Sequence, residues 1–152
     1  LQRIRDGVAM LRKAGIPEIE TTFIVGADIH ETAEDIEATE KLIGELQPDI
    51  LVLGIITPFP GTEQYEELKG LGYLDGISWD QFQVFTEDPP PWRSINFTGK
   101  ELVDARNKIL KSYYWSPKYM ARRVKKVRSL KEFRYYASMA KSFFVTVVNK
   151  AA

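Results

Sequence analysis

The chain has 152 residues with a hydrophobic content of 44%, enough for one ordinary globular domain, and its 21 basic side chains balance 21 acidic ones. It contains no cysteine, which excludes disulfides, thiolate catalysis and cysteine-ligated metal ions or clusters within these residues. No apolar run approaches the roughly 20 residues of a membrane span. With no signal-peptide pattern at its start, we expect a cytoplasmic chain cut from a longer protein.

The first 75 residues have the pattern of alternating helices and strands. Helical spacing of apolar residues predicts a helix over Leu1–Ala14, and a β-branched run predicts a strand over Thr21–Val25. The later elements are a helix from Thr32 to Leu46, a strand Ile50–Ile56 and a helix Glu63–Leu71. The continuous apolar runs of both strands favour parallel strands covered on both faces.

Parallel strands joined by a helix end at the same edge of a sheet. We therefore expect Thr22–Val25 and Leu51–Ile56 to lie side by side and to point the same way. The loops after them, Gly26–Thr32 and Thr57–Thr62, would then form the ligand face of the unit.

The second half of the chain predicts a connector followed by helices. Residues 76–97 contain one possible helical turn, a possible strand Gln83–Thr86 and the stiff stretch Asp88–Trp92. Helices are predicted after the capping box at Thr98, after Ser116, and from Ser129 to about Val148. This divides the chain into βα units at 1–75, a proline-rich connector at 76–97 and a helical extension at 98–152.

The charge is unevenly distributed along the chain. Up to Leu110 there are 10 Lys or Arg against 20 Asp or Glu, whereas from Lys111 onward there are 11 Lys or Arg against Glu132 alone. The basic cluster 122–128 and the apolar patch 143–148 suggest three interpretations of the 122–148 region. The first is a solvated face that docks on the acidic body, the second is a surface for anionic lipid, and the third is a surface for nucleic-acid phosphates. The apolar patch favours lipid over nucleic acid.

Several motifs together resemble one known family. They are Phe23–Asp28, Glu31–Ile36, Thr57–Thr62, Trp79–Phe82, Thr98–Leu102 and Ser112–Pro117. The combination resembles the C-terminal half of radical S-adenosylmethionine enzymes, and within them the cobalamin-associated subset related to the anaerobic magnesium-protoporphyrin ester cyclase. The turn after Gly26 departs from the family's Gly-x-Pro-Gly-Glu-Thr pattern because it lacks the proline and the second glycine.

The resemblance implies an α/β fold made of the last βα units of a partial (βα)6 TIM-like barrel, followed by a C-terminal helical extension. It implies that Ile24 and Gly26 contact the adenine of S-adenosylmethionine, and that Ile55, Thr57 and Pro58 form the sixth-strand end of that pocket. The implied parent is a methyltransferase or oxidoreductase with a four-iron four-sulfur (4Fe-4S) cluster on a CxxxCxxC loop, associated in this subset with cobalamin. Without cysteine the fragment alone is expected to be inactive and to need the missing N-terminal half as its partner.

No residue is assigned as a catalytic acid, base, nucleophile or metal ligand. His30 is the only histidine, and the dipole of the following helix is sufficient to explain Asp28 and Glu31. An alternative function is a non-catalytic α/β binding module that holds an anion at the helix start after Thr62 and uses its basic tail on a membrane or nucleic acid. An unpaired strand edge also predicts self-association.

Overall fold

The structure, a computed structural model, describes residues 1–83 and 88–127 together with Arg134 and Ser138. The chain divides into two compact units, Leu1–Leu110 and Lys111–Ala152. The described elements, in chain order, are α1 (Gln2–Lys13), β1 (Glu20–Val25), α2 (Ala33–Leu46), β2 (Ile50–Ile55), α3 (Glu63–Gly70), a 3-10 helix (Trp79–Gln81), α4 (Gly99–Tyr114) and α5 (Pro117–Lys126). This is a mixed α/β fold.

The two strands form a parallel sheet, which confirms the central expectation from the sequence. Their register pairs Glu20 with Ile50 and Val25 with Ile55. The buried carboxylate of Asp49 fixes the start of this pairing, because its Oδ2 accepts a hydrogen bond from the Ile19 backbone N–H at 3.0 Å.

The helices begin at the residues that the capping signals predict. The Thr32 hydroxyl accepts from the backbone N–H of Asp35, whose carboxylate bonds back to Thr32 and completes a capping box before α2. Thr62 and Ser116 cap α3 and α5 with one hydrogen bond each, accepting from the backbone N–H three residues on. These local hydrogen bonds depend on short sequence spacings, which is why they could be predicted.

One face of the sheet packs against α1 and α2. Val8, Ile19, Leu42 and Leu46 form a buried cluster, and Phe23 of β1 packs against it. This cluster therefore joins both helices to the same side of the sheet.

Polar contacts also link α1 to α2. The Arg12 guanidinium donates to the backbone carbonyls of Leu46 and Gln47 at the C-terminal end of α2, and Arg5 pairs with Glu45 at 2.7 Å. α1 thus supplies side-chain donors to carbonyl groups at the C-terminal end of α2, where helices commonly use such partners.

The other face of the sheet is open in the part of the chain that the structure describes. On this face Ile24 of β1 is 44% exposed and Ile50 of β2 is 36% exposed, and Thr22, two residues before Ile24, is exposed as well. The expectation of strands covered on both faces is therefore met on one face only, because both packing helices lie on the side of Phe23. Among residues 1–83 and 88–127 the sheet has two strands, so each of them is an edge strand there.

Residues of the expected connector pack into the first unit. Trp92 is 3% exposed and lies in a second buried cluster with Ile29, Leu68 and Leu74. Phe82 stacks on Trp92 with ring centroids 5.3 Å apart. The connector is thus anchored by its aromatic side chains, which the run of prolines did not reveal.

Some predicted features lie outside the described residues. They are most of the expected strand at 83–86, the apolar patch 143–148 and most of the terminal helix from Ser129, of which Arg134 and Ser138 are described and helical. Among the helices that the structure describes, none has the length and apolar content needed to cross a membrane.

Candidate functional site

The turn after β1 requires glycine at position 26 for two reasons. Gly26 has a φ of 74°, a conformation that side chains with a Cβ rarely adopt. A Cβ added there would also lie 3.2 Å from Leu102 Cδ1 and 3.4 Å from Ile56 Cγ2. The turn is consequently packed tightly against α4 on the side where a Cβ would point.

Both backbone polar groups of Gly26 bond to side chains of the same unit. Its N–H donates to Glu31 Oε2 at 2.6 Å, and its carbonyl accepts from Gln64 Nε2 at 2.8 Å. The N–H is therefore already used, while the carbonyl oxygen keeps one lone pair for a further donor.

Glu31 is half-buried behind this turn. Burial raises the pKa of its carboxyl from the ordinary value, the Gly26 N–H opposes that change, and the nearby carboxylates of Asp35 and Asp28 add to the rise. The side chain thus holds the turn at an electrostatic cost, which is reduced by its short hydrogen bond.

A distant side chain fixes the rest of the loop. Asn96 Nδ2 donates to the carbonyls of His30 and Glu31 at 3.2 and 3.1 Å, and the Ile95 N–H donates to the Ile29 carbonyl at 3.0 Å. The His30 side chain itself is exposed. Residues 95 and 96 follow the prolines of the connector, so no short motif in the sequence predicts their contact with this loop.

The loop after β2 is held from the connector side. Thr57 is buried and its hydroxyl donates to the Gln83 carbonyl at 3.2 Å, while Pro58 is fully buried. Phe59, the next residue, is 45% exposed. Phe59 is therefore accessible to solvent in this loop, whereas the Thr57 hydroxyl is hydrogen-bonded within the protein.

The start of α3 is a poor site for an anion. Glu63 and Glu66 occupy its first turn, so two carboxylates face the positive end of the helix dipole. The Thr62 hydroxyl already accepts from the Tyr65 N–H at 3.3 Å. An anionic ligand there would meet repulsion from the glutamates.

The register separates two of the predicted pocket residues. Ile24 pairs with Gly54, and Val25 pairs with Ile55. Because side chains alternate along a strand, Ile24 lies on the open face and Ile55 on the face that packs against helices.

Gly54 is a candidate that sequence reasoning missed. It lies beside Ile24 on the open face, and a Cβ placed on it would have no heavy atom within 4 Å. A glycine inside a strand often marks a place where another group approaches the backbone, and this signal was present in the sequence. Ile24 and Gly54 together form an apolar, accessible strip at the carboxyl end of the sheet.

Within the described part of the chain, no three His, Asp or Glu side chains converge as metal ligands. The candidate site consists of the apolar strip at Ile24 and Gly54 and the backbone groups of the adjoining loop. The side chains of Glu31, Gln64 and Asn96 hold that loop by hydrogen bonds.

The parallel βαβ unit with its loops defines an α/β protein, and two curated proteins are similar to it in sequence. An uncharacterised methyltransferase of Pyrococcus horikoshii is 29% identical over 119 residues, which are 78% of this chain and 25% of that protein. The anaerobic magnesium-protoporphyrin IX monomethyl ester cyclase of Cereibacter sphaeroides is 35% identical over 110 residues, 72% of this chain and 17% of that protein. The chain thus spans a quarter or less of the curated relatives it matches. No protein-family model and no solved structure matches it.

Proposed function

We propose that this chain forms the C-terminal part of a radical S-adenosylmethionine enzyme of the methyltransferase or oxidoreductase type. The observation that carries the proposal is the parallel register of β1 and β2, which ends both strands at one edge beside the Gly26 and Thr57 loops. The similarity to a methyltransferase and to an ester cyclase agrees with these reaction classes.

The two strands would be the last strands of a partial (βα)6 barrel. Parallel sheets are normally covered on both faces, and two strands alone make a marginal sheet. In a barrel the helices lie outside and the opposite face of each strand points inward. The open face at Thr22, Ile24 and Gly54 fits the inward side, since α1 and α2 pack on the other. The outer edge of β1 would receive a strand from the missing N-terminal half.

The residues present fit part of a pocket for S-adenosylmethionine. Ile24 and Gly54 offer an accessible apolar strip against which an adenine can lie. The Gly26 carbonyl, oriented by Gln64, has a lone pair for an amino group. Thr57 and Pro58, buried at the end of the sixth strand, would shape the pocket wall, with Ile55 supporting them from the helix side of the sheet.

The iron-sulfur cluster must be held outside this chain. Its cluster ligands are cysteines, and the sequence has none. The longer protein would hold the 4Fe-4S cluster, which would provide one-electron reduction of S-adenosylmethionine, and cobalamin would bind there as well. The role of this chain is to bind and orient the nucleoside end of the cofactor, and alone it would be inactive.

The test compares this chain with the longer protein from the same gene. We expect a CxxxCxxC motif ahead of Leu1 in that gene. After anaerobic reconstitution with iron and sulfide and reduction with dithionite, the longer protein should form 5′-deoxyadenosine from S-adenosylmethionine, and this chain alone should form none. A gene without the motif, or a cluster-loaded protein that does not bind S-adenosylmethionine, would overturn the proposal.

A further inference from the structure

The exposed face of α5 is apolar. Val124 is 67% exposed and Met120, one helical turn before it, is 48% exposed. Pro117 and Ala121 lie on the same side of the helix and are exposed as well. Four apolar residues thus form the centre of the solvent-facing side of this ten-residue helix.

The opposite side of α5 contains its aromatic and polar contacts. Tyr119 packs against Tyr113 and Tyr114 with ring centroids 5.2 and 5.0 Å apart. Arg122 lies over the Tyr119 ring at 5.5 Å and donates to the Tyr113 hydroxyl at 3.0 Å. The helix therefore uses an arginine and a tyrosine for internal packing and leaves its apolar residues outside, the reverse of the usual arrangement in a water-soluble helix.

Basic side chains border this apolar face. Lys118 and Lys125, seven residues apart, follow one edge and are exposed, and Arg123 follows the other edge. Trp115, just ahead of the helix, is 52% exposed. From Lys111 onward the sequence contains 11 Lys or Arg against one acid, so this part of the chain has a strongly positive net charge.

We propose that α5 docks on an anionic phospholipid surface. Met120 and Val124 would enter the boundary between headgroups and acyl chains, while Lys118 and Lys125 would reach lipid phosphates from the edge of the helix. Charge complementarity selects an anionic surface, and the apolar centre selects a bilayer over nucleic acid, whose phosphates would not need it. The inference does not depend on the proposed enzymatic function.

The test is flotation of the full chain with vesicles that contain phosphatidylglycerol and with vesicles of phosphatidylcholine alone. We expect flotation with the anionic vesicles only, weakening as salt is added. Met120→Ser with Val124→Ser should lower partitioning about tenfold, and Lys118→Gln or Lys125→Gln about fivefold each. The matched control is Met10→Ser with Lys13→Gln on α1, where Met10 is 68% exposed, and it should change nothing.

Tryptophan fluorescence tests the same docking without altering α5. Anionic vesicles should shift the emission to shorter wavelength, and Trp115→Phe should remove that shift. Trp79→Phe is the control and should preserve it, because Trp79 is also exposed, at 65%, but is not part of α5 or of the residues next to it. Equal flotation with neutral vesicles, retention by RNA instead of vesicles, or a fluorescence shift that follows Trp79 would overturn the inference.

Discussion

Glu31 and Gly26 are joined by a hydrogen bond of 2.6 Å in which a half-buried carboxylate accepts the backbone N–H at the turn after β1. The carbonyl group of the same glycine accepts a hydrogen bond from the Gln64 side chain. The glycine at the carboxyl end of the first strand is thus held by two side chains, one from its own loop and one from α3.

Removing the acceptor should destabilise this turn. Glu31→Ala leaves the buried Gly26 N–H without its partner, which we expect to lower the free energy of unfolding by about 1–3 kcal/mol. Glu31→Gln keeps an oxygen acceptor and removes a charge that Asp28 and Asp35 repel, so at neutral pH it should be at least as stable as the wild type. Urea denaturation of both variants checks this, and equal losses in the two would contradict the assigned role.

The raised pKa of Glu31 predicts a pH dependence with a definite sign. The folded chain takes up this proton at a higher pH than the unfolded chain, so between the two pKa values it binds more protons. Stability therefore falls as the pH rises through that window. Relative to Glu31→Gln, the wild type should be less stable at pH 7 and should recover as the pH approaches about 4. The opposite slope in urea midpoints would contradict the burial of this carboxyl.

Glycine substitutions separate conformation from packing at the same turn. Gly15 and Gly26 both have positive φ, 79° and 74°, but a Cβ at Gly15 meets nothing within 4 Å. Gly15→Ala should cost about 1 kcal/mol for the backbone conformation alone. Gly26→Ala should cost about 1–3 kcal/mol more, because the methyl group would press on Leu102. Similar losses in the two variants would mean that the turn has room for a side chain.

The contact from α1 to α2 gives a further prediction. Arg12→Met keeps the apolar stem but removes the donor to the Leu46 and Gln47 carbonyls, and it should lower the free energy of unfolding by about 1 kcal/mol. Arg3→Met is the matched control on the same helix, where the side chain is exposed, and it should have little effect. Thermal unfolding of the two variants distinguishes a specific end contact from a general effect of charge.

Local features of this fold could be predicted from the sequence, and long-range ones could not. The strands and the caps at Thr32 and Thr62 depend on residues close together in the chain, and the parallel order follows from the single helix that joins the two strands. The bond from Gln64 to Gly26 joins positions 38 residues apart, and Asn96 reaches His30 across 66 residues, so neither had a sequence signature.

The open face of the sheet shows a different limit. The apolar runs at Thr21–Val25 and Ile50–Ile56 predict burial on both sides, and the helices that the structure describes bury one. Apolar residues in a strand predict that its surface is buried, but they do not identify the segment that buries it. The alternation that separates Ile24 from Ile55 required the register, which the sequence alone did not define.

The most direct test of the account places a bulky side chain at Gly54 in the longer, cluster-loaded protein and measures S-adenosylmethionine binding by equilibrium dialysis. In this chain alone Gly54→Phe should still fold, because a Cβ at this position meets no heavy atom within 4 Å. We expect Gly54→Phe to weaken binding in the longer protein by more than about tenfold, and Gly44→Phe on the exposed side of α2 to leave it unchanged. Equal binding by both variants would contradict the assignment of the open sheet face to the cofactor pocket.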